Sequence, residues 1–274
     1  MTDEQSTTRS TTSADGTTIA YEAYGSGPVA VIVGGAFCDR GVFRELAQAL
    51  GEDGFTGVTY DRRGRGDSTN TLPYAAEREY EDLAALLGAA GSGTPGLSAF
   101  AHGVSSGGAL VLGAVAAGVP IVRASVLEVP YRIEGAPPEP PDYIATLSRL
   151  GAEGDHEGIV HLFHTQVIGL PEEMLDWMRG TSMWDAMLDL APTLAYDWYV
   201  LGGSDQSLPT QLLGSIAIPV LSINSVGTQI PFLREAAAKV AAAIPQGRHA
   251  ALRGGFHDVP IPILAPALAD FYRS

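Results

Sequence analysis

The sequence predicts an α/β fold: a mostly parallel central sheet flanked by helices and interrupted once by a helical insertion. Three observations predict it. Apolar, β-branched runs alternate with Ala- and Leu-rich stretches of helical period, as in successive βα units. The run "VAVIV" is apolar throughout, as a strand covered on both faces must be. The alternation lapses between residues 130 and 213, where proline clusters ("APPEPPDY") give way to helical segments, and it then resumes.

Each element can be read in order. "TTIAYEAYG" opens the sheet, and "VAVIVGG" (29–35) and "FTGVTYD" (55–61) read as buried strands. The helix between them turns Phe43, Leu46 and Leu50 to one face. "AEREYEDLAALLGAAG" is a helix with charges at its start and glycine at its end. The strand "LSAFAHG", a small-residue helix over 106–117 and the strand "IVRASVLE", ending at Glu128, follow. After the insertion come the strand "IAIPVLSIN", the helix "PFLREAAAKVAAAI", the strand "RHAALRGG" and a last helix ending at "LADFYRS". The expected organisation is a flexible tail over 1–12, a core over 13–129 and 214–274, and a helical unit over 130–213.

Composition narrows the function classes. With 31 acidic against 16 basic residues the formal charge is -15, which disfavours nucleic acid and anionic membrane surfaces as partners. One cysteine, Cys38, excludes an intrachain disulfide and any cysteine-rich metal site. The polar N-terminal stretch has neither the basic start nor the apolar run of a secretory signal, so a cytoplasmic protein is expected. The longest apolar run, "ALVLGAVAAGVPIV", is too short for a bilayer span. The expected partner is a small-molecule substrate, with the chain a monomer or a homodimer.

Gly103-Val104-Ser105-Ser106-Gly107 fits G-x-S-x-G where a strand turns into a helix. A nucleophile on such a turn needs small neighbours so that strand and helix can approach closely. Ser105 is the central serine. Centring the motif on Ser106 would put a β-branched valine where a glycine is wanted. A blander reading of the same stretch is a turn whose serine only caps the helix.

Four stretches, "VIVGGAF", "YDRRGRGDS", "GVSSGG" and "GGFHDV", together resemble the α/β-hydrolase family in its capped serine-hydrolase form, over nearly all of 17–274. The resemblance implies an α/β-hydrolase fold with residues 130–213 as a cap. It implies His257, between the last strand and the last helix, as the base that takes the proton of Ser105. It also implies an oxyanion hole of the backbone N–H of Ser106 and of Ala36 or Phe37. Most relatives have His-Gly where this chain has Gly34-Gly35. Asp61, Arg62 and Asp67 take a structural role in the turn.

The acid departs from the commonest pattern. It usually follows the strand "PVLSIN", but residues 225–229 include no carboxylate. Some branches place it at the end of the strand after the nucleophile helix, where Glu128 stands. Asp197 and Asp205 are the reserve candidates; Asp258 adjoins the histidine. Of the other histidines, His102 is expected to point away from the turn and His249 to be a strand residue, while His156, His161 and His164 lie in the insertion. His161 and His164 share a helix face without a third ligand at a recognisable spacing, so no metal is expected. Cys38 reads as a small buried hydrophobe.

Every tryptophan lies in the insertion, as does every methionine but the first. Trp177, Met178, Trp184 and Trp198 either line a pocket over Ser105 or pack the insertion against the core. The sequence therefore predicts a cofactor-free hydrolase of an ester, lactone or thioester of a small, largely apolar substrate, through Ser105, His257 and Glu128. A serine at 105 argues against epoxide hydrolase and haloalkane dehalogenase chemistry, which use a carboxylate. A carbon-carbon bond hydrolase with the same triad, or a non-catalytic ligand-binding protein, are the alternatives.

Overall fold

The computed structural model describes residues 8–91, 98–137, 140 and 142–274. Eight strands form one sheet: β1 (Arg9–Thr12), β2 (Thr18–Gly25), β3 (Val29–Val33), β4 (Thr56–Tyr60), β5 (Ala99–Val104), β6 (Arg123–Leu127), β7 (Val220–Ser225) and β8 (Gly247–Leu252). Their spatial order is β1-β2-β4-β3-β5-β6-β7-β8. β2 pairs antiparallel with both β1 and β4, and every other neighbouring pair is parallel.

Side-chain alternation along the strands divides the core in two. Val29, Val31 and Val33 of β3 join a cluster with α2 (Ala76–Ala89), α3 (Ser106–Ala116) and α10 (Pro231–Ala243). Ala30 and Ile32 face the other way, against α1 (Arg44–Glu52) and α11 (Ile261–Arg273). Both faces are therefore covered, which is why β3 reads as a continuous apolar run. Leu46 and Leu50 lie buried on α1 as their spacing predicts, and Phe43 packs beside them.

Between β6 and β7 the described chain is helical: α4 (Tyr143–Glu153), α5 (His156–Leu162), a π-helical turn (Phe163–Ile168), α6 (Glu172–Met178), α7 (Ser182–Leu190), α8 (Leu194–Val200) and α9 (Thr210–Ser215). α4 to α8 share an apolar cluster of their own, which also receives Ala36 and Phe37 from the loop after β3. No helix among the described residues is long and apolar enough to cross a membrane.

One expectation is corrected. Residues 9–12, read as the end of a flexible tail, are β1, held in register against Thr18–Tyr21. In the first half of α2, Glu79 and Asp82 are buried, paired with Arg62 and Arg63.

Candidate active site

Ser105 is the hinge between β5 and α3, with φ 56° and ψ −127°, a backbone state costly for any residue with a Cβ. Its N–H donates to the Leu127 carbonyl at 2.9 Å, so the ladder to β6 holds the strained residue in place. Its side chain makes no capping hydrogen bond, which removes the reading of this serine as a plain helix cap. The glycines permit the turn. A Cβ on Gly103 would stand 2.4 Å from the Gly107 oxygen, and one on Gly107 would stand 2.3 Å from the Val33 oxygen.

Glu128 follows β6 directly and is fully buried. Its Oε1 accepts the Ser225 N–H at 2.9 Å. Its Oε2 accepts both the backbone N–H of His257, at 2.8 Å, and the imidazole Nδ1–H, at 2.9 Å. Burial alone would raise its pKa, but hydrogen bonds from the His257 ring, the His257 N–H and the Ser225 N–H outweigh it, and the carboxyl lies below its ordinary range.

His257 sits in a turn closed by reciprocal backbone hydrogen bonds between Gly255 and Asp258, and its ring stacks on Phe256 at 4.0 Å. A carboxylate accepts and cannot donate, so Nδ1 carries a proton, and in the neutral ring the lone pair is then on Nε2. β5, β6 and β8 run in one direction, and Ser105, Glu128 and His257 therefore all leave the sheet at the same edge. Four of the six described non-glycine residues with positive φ gather around this edge: Phe37, Ser105, Glu128 and His257. Strain of this kind persists only where surrounding structure over-determines it.

Ser106 opens α3, so its N–H has no partner within the helix. Gly35 reaches the same place from β3: a Cβ there would stand 2.9 Å from Ser105 Cβ. Ala36 and Phe37 follow it. Phe37, at φ 53°, packs its ring on Phe163 at 5.2 Å and on His164 at 5.6 Å.

The reserve acids lie elsewhere. Asp197, on α8, is buried among Arg62, Arg65 and Ser106. Asp205 accepts from the Ser207 hydroxyl at 2.8 Å, and the Asp258 side chain is exposed. Asp61 holds its turn by accepting the N–H groups of Arg40 at 2.7 Å and Asp67 at 2.9 Å and pairing with the Arg40 guanidinium. Arg62 is buried against Glu79 and Asp197, and Asp67 pairs with Arg40.

Four of the other histidines have hydrogen-bond partners for their rings. His102 is buried with Nδ1 on the Ser125 hydroxyl, His161 meets Glu172, His164 meets the Val160 carbonyl, and His249 meets Asn224. No group of three or more His, Cys, Asp or Glu side chains among the described residues is arranged to hold a metal ion. Burial raises the Cys38 thiol to about 11, the behaviour of an inert thiol.

The tryptophans divide. Trp177 is 76% exposed, which corrects its placement in a pocket: Leu175 and Met178 take the inner face of α6, and Trp177 is turned away from them. Met178, Trp184 and Trp198 are buried in the helical cluster, Trp198 against Tyr143 and Phe163.

The sequence reading missed Arg65, Glu79 and the Ser106 hydroxyl. The run "DRRGRGDS" carried the signal, because three arginines so close together need acids if the fold buries them.

No curated protein matches the sequence. Among solved structures, an alpha/beta hydrolase from Sphaerobacter thermophilus is 42% identical with a TM-score of 0.87, over 96% of this chain and 100% of that one. A thermophilic esterase from Thermogutta terrifontis is 21% identical with a TM-score of 0.69, covering 97% and 98%. The enol-lactonase from Burkholderia xenovorans is 18% identical with a TM-score of 0.67, covering 95% and 98%. At those lower identities the likeness concerns the fold alone. Residues 30–268 match the profile of the alpha/beta hydrolase family. The strained serine between β5 and α3, the sheet that carries it and this match agree: the chain belongs to the alpha/beta hydrolase family.

Proposed function

We propose that the protein is a serine hydrolase acting on an ester, lactone or thioester of a small, largely apolar substrate, with Ser105 as nucleophile, His257 as general base and acid, and Glu128 as the orienting carboxylate. The observation that carries this reading is the Glu128–His257 pair. It fixes the tautomer that leaves Nε2 free to take a proton, at the sheet edge where Ser105 emerges.

In the first half-reaction Ser105 Oγ bonds to the substrate carbonyl carbon while its proton passes to His257 Nε2. The carbonyl electron pair moves onto oxygen, facing the N–H groups of Ser106 and of Ala36 or Phe37. Collapse of that intermediate breaks the bond to the leaving group, which takes the proton from Nε2. Water then repeats the sequence on the acyl-enzyme, giving a carboxylic acid and free Ser105. Glu128 stays ionised throughout and stabilises the imidazolium. No step requires a cofactor.

The solved esterase and enol-lactonase with this fold support a carboxylic ester or lactone as the bond to test first. The test is a fluorophosphonate probe with peptide mapping, run beside a panel of model esters and lactones. Labelling at Ser105 that is lost in His257→Ala is expected. A protein that binds apolar ligands yet neither labels nor turns over any panel member would be a binding protein on this fold instead.

A further inference from the structure

We propose that Asp197 is a positioning residue for the oxyanion hole: one carboxylate from the inserted helices fixes both backbone segments that supply its N–H donors. This rests on the serine-hydrolase reading above.

Asp197 is 1% exposed. Its Oδ1 accepts from the Ser106 hydroxyl at 2.7 Å and from Arg62 Nη1 at 2.6 Å; its Oδ2 accepts from Arg65 Nη2 at 2.7 Å. The first contact grips the residue after the nucleophile. The other two lead to the second segment. Arg65 Nη1 donates to the Gly35 carbonyl at 2.6 Å and to the Cys38 carbonyl at 3.3 Å, and Arg62 Nη1 donates to the Gly34 carbonyl at 3.3 Å.

Peptide planarity turns that grip into aim. In a trans peptide the carbonyl of residue 35 and the N–H of residue 36 lie in one plane and point in opposite directions. A guanidinium that holds the Gly35 oxygen therefore directs the Ala36 N–H away from the buried arginines. This favours Ala36 over Phe37 as the second donor. Gly34-Gly35 has no side chain to order the loop, and its two carbonyls are held instead by guanidinium groups whose own orientation Asp197 sets.

The electrostatics suit a rigid support. Burial disfavours the Asp197 charge, but Arg65, Arg62 and the Ser106 hydroxyl together hold its pKa below the ordinary range. Arg62 also takes a two-pronged pair with Glu79, at 2.7 Å on each arm. Two guanidinium groups and two carboxylates are thus balanced out of water. Thr193, beside α8, fixes the remaining Arg65 edge through Nε at 3.0 Å.

The test uses Asp197→Asn and Ser106→Ala in the full chain. Ser106→Ala removes one contact of Asp197 while leaving every charge and the residue's own N–H, so it reads the proposal even if Asp197→Asn fails to fold. Lowering of kcat by about 10- to 100-fold, with KM within about threefold, is expected for a lost contact to oxyanion donors. Inhibition by a trifluoromethyl ketone, which forms a tetrahedral oxyanion on the serine, should weaken by the same factor. Inhibition by the parent methyl ketone should hold. Variants that lose melting temperature but keep kcat and ketone selectivity would overturn the proposal and leave Asp197 as packing. If the wild type instead shows no Ser105-dependent turnover, it is the serine-hydrolase reading that fails.

Discussion

The carboxylate of Glu128 holds His257 twice, by the backbone N–H at 2.8 Å and by the ring Nδ1–H at 2.9 Å. One side chain thereby sets where the loop sits and which ring nitrogen is left to act. Glu128→Gln keeps the shape but lets the amide donate to Nδ1, favouring the wrong tautomer. kcat should fall on the order of 10⁴-fold, as for the loss of an orienting carboxylate. Asp205→Asn, altering only an exposed contact to Ser207, should stay within about twofold of wild type in the same ester assay.

Ser105 gives a prediction in which activity and stability part company. Glycine adopts a φ of 56° without the Cβ penalty, so Ser105→Gly should abolish turnover while raising stability by about 1 kcal/mol. Ser105→Ala should abolish turnover without that gain. Urea unfolding of the three proteins compares them directly.

The close approach of α3 to β3 forbids a side chain at residue 107. A Cβ there would overlap the Val33 oxygen at 2.3 Å and the Gly34 oxygen at 2.7 Å, both backbone atoms unable to rotate aside. Gly107→Ala should destabilise the fold by about 3 kcal/mol or more. Gly88→Ala, where an added Cβ meets nothing within 4 Å, should be neutral or mildly stabilising. Thermal melts of the two variants should differ plainly.

Acid stability follows from His102. Burial pushes this imidazole from 6.5 down to about 4, and its Nε2 has no partner among the described residues. As pH falls below 6.5 the unfolded chain takes up the proton first. The contribution of His102 is therefore whole above pH 6.5, erodes between 6.5 and 4, and is gone below 4. The difference amounts to about 3 kcal/mol for a shift of this size. His102→Gln should flatten the stability profile over that window in urea titrations at successive pH values, relative to wild type.

Strands β3 to β7 were legible because they are buried on both faces and announce themselves as apolar runs. β1 was not. Its four residues, Arg-Ser-Thr-Thr, are polar, and they are a strand only because β2 offers an unpaired edge beside them. Ser105 and His257 could be read from G-x-S-x-G and from the resemblance of "GGFHDV". Glu128 could be singled out by its strand position once residues 225–229 proved to lack a carboxylate, but its bond to His257 depends on β6, β7 and β8 being neighbours, which no local pattern encodes. Asp197 stood in reserve as the acid for His257, but its carboxylate meets Arg62, Arg65 and Ser106 instead. Its partners are 91 to 135 residues away in sequence, and only packing of α8 on α3 brings them together. Trp177 was misjudged because composition puts a residue on a helix without saying which way the helix is turned.

The last residue of β7 contributes to the candidate site through its main chain, in the Ser225 N–H given to Glu128. Nineteen of the twenty amino acids carry that group. The candidate site thus asks only for a backbone N–H at 225, while full burial there bars unpaired charge and excess volume, so a library at this position should leave out proline and the charged residues and be filtered by size.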